Sequence, residues 1–184
     1  MLKDPVPLGE VARALVIKLR HHGDVLLAAP VLRVLQKHAP GIELDALVYE
    51  DTAEMLAGHP ALARLHTVGR GWRNEDYLAR LVLEKELFDQ LRTRRYNLIV
   101  HLSEQPRGAW LARSLGVRYS VAPATPGRGA FWRGSFTHLY ALARNGHRHK
   151  VEENLDALRR IGIQPAAEER RVDFVPGTAA EARV

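Results

Sequence analysis

Asp24 stands where a carboxylate can do proton chemistry. It closes the turn His21-His22-Gly23-Asp24, which follows the apolar run Ala14-Leu15-Val16-Ile17 and precedes a second apolar run at helical spacing. The pattern predicts a strand, a tight loop and a helix. In an open α/β sheet such a loop lies at the carboxyl end of a strand, where ligands bind. There Asp24 can take a proton from a substrate hydroxyl, or it can cap the helix by accepting its free N–H groups. Spacing leaves both roles open. Gly23 allows a positive φ or a close ligand approach, and His21 and His22 are placed to tune Asp24 or to touch a substrate. The turn carries neither the three-glycine dinucleotide pattern nor a phosphate-cradling P-loop.

Two further groups suit an anionic ligand. Arg70-Gly71-Trp72-Arg73 and the segment holding Arg128, Phe131, Trp132 and Arg133 each set an aromatic ring among arginines. Arginine binds phosphate and carboxylate bidentately, and the interleaved ring suits a sugar or a lipid headgroup. Ser103, Glu104, Gln105 and Arg107 follow the run Tyr96–Leu102 and so also fall at a strand's carboxyl end. Glu104 can position a substrate or pair structurally with an arginine, and pairing is the favoured reading. The pairs His21/His22 and His147/His149 lack the i, i+4 spacing of a helix-borne zinc site, and with no cysteine in the chain no metal site is expected.

The elements that must position these residues alternate in type. Strands are expected over 13–19, 43–49, 63–68, 96–102 and 117–121. Helices are expected over 25–38, with Pro30 kinking it or starting a new first turn, and over 51–57, capped by Asp51 or Thr52. Further helices are expected over 75–92, with Leu78, Leu81, Val82, Leu87 and Leu91 near one face, and over 105–115 and 151–161. Residues 122–134 read as a Pro/Gly-rich loop. This β-α alternation predicts a doubly wound parallel α/β sheet. Residues 1–171 are expected to form that domain, and 172–184, with a possible strand at Val172-Asp173-Phe174, to begin an interdomain connection.

The 184 residues carry 27 basic and 21 acidic side chains, unevenly spread. Residues 91–150 hold eleven Lys and Arg but one acid, Glu104. A block of this kind suggests a polyanionic partner. No helix-turn-helix or RNA-stacking motif supports a nucleic acid in that role. No apolar run approaches the roughly 18 residues of a membrane span, and the first residues lack a signal-peptide core. The absence of cysteine agrees with the cytosol.

The stretch LVIKLRHHGDVLLAAPVLRVL resembles the amino-terminal signature of the lipopolysaccharide heptosyltransferases, glycosyltransferase family 9, in its K-L-R-x-x-G-D-x-L-x-x-x-P pattern. The likeness continues through LVYEDTAEML, the Arg70–Arg73 loop, RRYNLIVHLSEQPRGAWLARSLG and HRHKVEENL. LRHHGDVLL and VYEDTAEML are most similar to the subtype that adds the third, branching heptose. The resemblance implies the Rossmann-like N-terminal domain of a GT-B enzyme, with the donor-binding C-terminal domain absent from these residues. It implies Asp24 as catalytic base and an acceptor site drawn from Arg20, His21, His22, Gly23, Arg70, Trp72, Arg73, Ser103, Gln105, Arg107 and Arg128. The implied substrates are the lipopolysaccharide inner core and ADP-heptose, with inversion at the anomeric carbon and no cofactor or metal. The implied setting is cytoplasmic, on the anionic surface of the inner membrane. A non-catalytic module binding anionic glycolipid or phosphate through the same residues is the competing reading.

Overall fold

Apolar strand segments set the architecture of the computed structural model, which describes residues 4–142, 148–172 and 174–175. β1 (Arg13–Lys18), β2 (Glu43–Tyr49) and β4 (Leu98–His101) are buried almost throughout. That is the signature of strands covered on both faces of a parallel sheet. With β3 (Leu62–Val68), β5 (Tyr119–Pro123) and β6 (His138–Tyr140), they form one six-stranded sheet of order β3-β2-β1-β4-β5-β6. Every pairing is parallel, with Ile17 level with Leu47 and His101.

Side chains alternate between two cores, as the strand period of two requires. Ala14 and Val16 face a core with α2 (Ala29–His38) and α6 (Lys150–Arg160). Leu15 and Ile17 face a core with α3 (Tyr77–Thr93), α4 (Pro106–Ser114) and α5 (Ala130–Ser135). The chain winds outward from β1 to β3 in one direction and from β4 to β6 in the other. The reversal places a switch point at the carboxyl ends of β1 and β4, where open α/β sheets bind ligands.

Several elements depart from the sequence expectation. The helix expected over 25–38 is two helices, α1 (His22–Leu26) and α2, with Pro30 in the first turn of the second. Pro30 has no N–H and its ring would clash with the preceding turn, so the first helix stops before it. The helix expected over 51–57 is a 3-10 turn, Glu50–Met55, and neither Asp51 nor Thr52 caps it. Instead the Thr52 hydroxyl donates back to the Tyr49 carbonyl at 2.8 Å. Of the five apolar positions expected on one face of α3, Leu87 and Leu91 are buried in the core, whereas Leu78, Leu81 and Val82 are exposed. The expected loop 122–134 contains the end of β5 and most of α5. Trp132 drives this, because its ring is buried and its Nε1 donates to the Pro123 carbonyl at 3.0 Å. β6 has three residues, too few to leave a periodic trace. At the proposed boundary Val172 packs on the core but lies in no strand. Asp173 and residues 176–184 lie outside the described residues.

Candidate functional site

Asp24 is the third residue of α1, directly beyond the carboxyl end of β1. His21 occupies the cap position without a side-chain bond. Among the described residues the Asp24 carboxylate takes part in no hydrogen bond or ion pair, so the capping role is unfilled. It is partly buried and lines a cavity of about 260 Å³ between the β1 and β4 loops and α6. Arg20, Ser103 and Glu104 line the same cavity. His21, His22 and Gly23 are exposed and line no described cavity. Gly23 is helical with a negative φ, so the turn itself does not require glycine; the space around its Cα is open.

Residues outside the sequence-derived set complete this cavity. Lys18, the last residue of β1, is 4% exposed. Its Nζ donates to the Leu102 carbonyl and to Asn154 Oδ1, both at 2.9 Å, and Asn154 Nδ2 donates to the Leu27 carbonyl at 2.8 Å. Burial pushes the Lys18 ammonium down to about 8, and the Asp24 charge opposes that shift. Tyr140 is buried with its hydroxyl unbonded among the described residues, and burial pushes that hydroxyl well above its ordinary range. A lysine inside the apolar run Leu15–Leu19 is a sequence signal that could have marked it. Tyr140 and Asn154 carry no such local mark, since only the fold brings β6 and α6 beside β1.

The loop after β4 divides its residues between two sites. Ser103 is buried and its Oγ accepts from the Leu19 N–H at 3.4 Å, tying the two central loops. Glu104 pairs with Arg20 at 3.1 Å, the structural role expected of it. Gln105 caps α4 by position and faces a second cleft. Its carbonyl lies 3.1 Å from His101 Nε2. Burial pushes His101 down to about 3, so the ring is neutral at physiological pH. That ring lies flat against Gly108, where any Cβ would overlap it.

The second cleft, of about 720 Å³, is floored by Leu19 and Tyr49 and lined by Arg70, Trp72, Gln105 and Arg107. Arg80 and Glu84 of α3, Trp110 of α4 and Phe131 of α5 also line it. Arg70 stacks 3.9 Å over the Tyr49 ring, pairs with Asp51 at 2.9 Å and donates to the Arg20 carbonyl at 2.8 Å. Arg107 makes a two-pronged bond to Glu84 at 2.5 and 2.6 Å. Arg128 lines neither cavity. It donates to the Glu104 carbonyl at 2.5 Å and sits 5.3 Å over Trp132. The Arg73 side chain and His147 lie outside the described residues, and His149 Nδ1 caps α6 by accepting from the Val151 N–H.

The basic block of residues 91–150 does not form one surface. Arg94 and Arg118 lie at the opposite, amino edge of the sheet, paired with Asp45 and Glu10. Arg148 and Lys150 pair with Asp156 and Glu153 on α6. Of the block's described basic residues, Arg107 alone lines the larger cleft, whose other arginines, Arg70 and Arg80, come from earlier in the chain. The two cavities together put an uncommitted carboxylate beside a pocket rich in guanidinium and aromatic groups, suited to deprotonating a hydroxyl on an anionic substrate.

No family model matches the chain. It is 33% identical over 163 residues to lipopolysaccharide heptosyltransferase 3 of Escherichia coli, across 87% of this chain and 46% of that protein. It is 35% identical over 106 residues to lipopolysaccharide heptosyltransferase 1 of Pseudomonas aeruginosa, across 56% of this chain and 30% of that protein. The chain thus spans about half the length, or less, of the curated relatives it matches. Among solved structures it is similar to Escherichia coli heptosyltransferase WaaC with ADP-2-deoxy-2-fluoro heptose (TM-score 0.71, 23% identity, 84% of this chain and 50% of that one). It is also similar to a family 9 glycosyl transferase of Veillonella parvula (TM-score 0.69, 21% identity, 83% and 42%). These structures share its fold.

Proposed function

We propose, on the premise that this chain belongs to the lipopolysaccharide heptosyltransferase family, that it is the acceptor-holding half of an inverting glycosyltransferase of lipopolysaccharide core biosynthesis. The observation that carries the reading is Asp24: a carboxylate at the switch point that forms no hydrogen bond or ion pair among the described residues and lines a cavity. Asp24 takes the proton from an acceptor sugar hydroxyl as that oxygen attacks the anomeric carbon of ADP-heptose. The carbon–oxygen bond to ADP breaks on the opposite face, inverting the centre. A positioned base of this kind contributes about 10²–10⁴-fold.

Arg70, Trp72, Gln105 and Arg107 hold the phosphorylated, acidic inner core in the larger cleft, while Arg20 and Ser103 shape the approach to Asp24. The bond from Arg107 to Glu84 opens when an acceptor phosphate replaces the carboxylate, and Arg128 acts by fixing the Glu104 backbone. The acceptor is that of the subtype adding the third heptose, a reading supported by the likeness to heptosyltransferase 3. Donor binding is assigned to the part of the relatives that this chain does not span. The setting is the cytoplasmic face of the inner membrane; no helix among the described residues is long and apolar enough to cross a membrane.

Calorimetric titration tests the division of labour. The 184-residue chain is expected to bind heptose-deficient core oligosaccharide, with Arg107→Ala weakening it about tenfold or more, the cost of one charge-assisted contact. It is expected not to bind ADP-heptose. Micromolar ADP-heptose binding, or no response of oligosaccharide binding to Arg107→Ala, would overturn the assignment.

A further inference from the structure

The smaller cavity beside Asp24 holds more hydrogen-bonding capacity than the protein uses. Tyr140, at the end of β6, is 5% exposed. Its hydroxyl makes no hydrogen bond among the described residues, and burial keeps it protonated and able to donate. Lys18, at the end of β1, is as deeply enclosed. An ammonium has three N–H donors. Those of Lys18 reach the Leu102 carbonyl and Asn154 Oδ1, which leaves one without a partner among the described residues. Ser103 Oγ accepts from the Leu19 N–H, so its own O–H remains to be given. All three residues line the cavity with Asp24. Buried polar groups are seldom left without partners. Spare donors around one carboxylate mark a place where a ligand supplies what the protein does not.

Charge and size decide which ligand. The lining holds three basic and three acidic side chains. Arg20 pairs with Glu104 at 3.1 Å and Lys150 with Glu153 at 2.5 Å. Lys18 and Asp24 remain, and their charges balance within the cavity without an ion pair between them. A phosphate or carboxylate would find no surplus of positive charge here and would lie beside the Asp24 carboxylate. The larger cleft differs, since Arg70, Arg80 and Arg107 line it against one acid, Glu84. The smaller cavity, of about 260 Å³, also falls below the roughly 300–1,000 Å³ of sites for drug-sized ligands. It suits a single ring that carries both donors and acceptors and no charge.

We propose that Tyr140 and Lys18 are specificity residues: they donate to hydroxyls of an uncharged pyranose ring and so set its neighbouring hydroxyl against Asp24. This assignment rests on the acceptor reading and deepens it. The charged groups of the acceptor stay in the larger cleft, and the ring that reacts enters the smaller cavity as a neutral sugar.

Saturation-transfer NMR on the 184-residue chain tests it, with methyl mannoside as the neutral pyranose. The native chain is expected to bind this sugar, and inorganic phosphate at equal concentration is expected not to displace it. Tyr140→Phe is expected to weaken binding about three- to tenfold, the loss of one hydrogen bond. Its urea midpoint is expected to stay level with the parent's or to rise, because the hydroxyl it removes has no partner among the described residues. The Lys18 Nζ resonance is expected to move as the sugar saturates the native chain. No sugar binding, equal binding by Tyr140→Phe, displacement by phosphate or an unmoved Lys18 resonance would overturn the proposal. So would a lowered urea midpoint in Tyr140→Phe, which would make the hydroxyl part of the fold. Core-oligosaccharide binding and its response to Arg107→Ala report separately on the acceptor reading. Loss of that response with the Tyr140 effect intact would reject the cradle and leave the sugar site standing.

Discussion

An acidic side chain in the first turn of a helix ordinarily helps to hold that turn, and Asp24 does so only through its charge. It accepts no bond from the helix, so Asp24→Asn removes no contact of the fold. The expected outcome is a shift in urea midpoint equivalent to less than about 1 kcal/mol, the size of a first-turn charge effect. A two-domain enzyme containing the substitution is expected to lose about 10²–10⁴-fold in turnover. Turnover within a few-fold of the parent would reject the base.

Lys18 provides an independent readout of the same site. The Asp24 charge favours its protonated form, so Asp24→Asn should lower the Lys18 value followed by NMR. The folded value of about 8 lies below the unfolded 10.5. Between those pH values the unfolded chain binds more protons than the fold, and the penalty for burying this ammonium is relieved as pH rises. Sequence spacing located Asp24 correctly but could not choose between cap and base. That choice depends on where the carboxylate finds partners, which is a property of the assembled loops. Lys18, a charge in an apolar strand, left a mark in the sequence, but it was not among the residues singled out there. Its partners Leu102 and Asn154 come from the loop after β4 and from α6, far away in the chain.

At the scale of elements, the strands with long apolar runs were readable and the short or marginal ones were not. β1, β2 and β4 announce themselves because both faces are buried. β6 and α5 exist because β5 and Trp132 give them something to pack against. The apolar positions of α3 illustrate a limit of periodicity: Leu78 and Val82 satisfy a helical pattern yet meet solvent, because α3 runs past the edge of the core it covers. At α4, by contrast, close packing dictates one residue. Gly108→Ala would press a methyl group into the buried His101 ring, which is held between Trp132, Phe136 and the Gln105 carbonyl. The expected cost is about 1–3 kcal/mol, the range for overpacking a filled core, measured as a drop in urea midpoint. An unchanged midpoint would mean that the ring moves freely.

For the molecule as a whole, the two edges of the sheet use charge in opposite ways. At the amino edge, Asp45 is fully buried, with Arg94 at 2.7 Å, the Tyr96 hydroxyl at 2.6 Å and His66 at 3.3 Å. Burial alone would raise the Asp45 carboxyl; the bonds from His66, Arg94 and Tyr96 outweigh it and hold it well below the carboxylate range. Because the folded value is depressed, the stabilisation is present above the unfolded value and is lost as pH falls below it. Asp45→Ala removes the buried partner of Arg94 and leaves it Glu43 at 2.9 Å; it is expected to cost about 3–5 kcal/mol at neutral pH, read by thermal or urea unfolding. A cost below about 1 kcal/mol would show that Arg94 simply re-solvates. Counting charges along the sequence could not separate this staple from ligand-facing arginines, since the two groups alternate within one basic block.

At the carboxyl edge the arginines run in series. Asp51 after β2 holds Arg70 after β3; Arg70 holds the Arg20 backbone after β1; Arg20 holds Glu104 after β4; Arg128 after β5 holds the Glu104 carbonyl. Five successive loops are joined by side chains whose charge an arriving phosphate would also attract. A polyanion that draws one guanidinium away slackens the loops on either side of it. The edge is therefore laced like a drawstring: the loop that carries Asp24 shares, through Arg20, one line of contacts with loops as far as two strands away on either side.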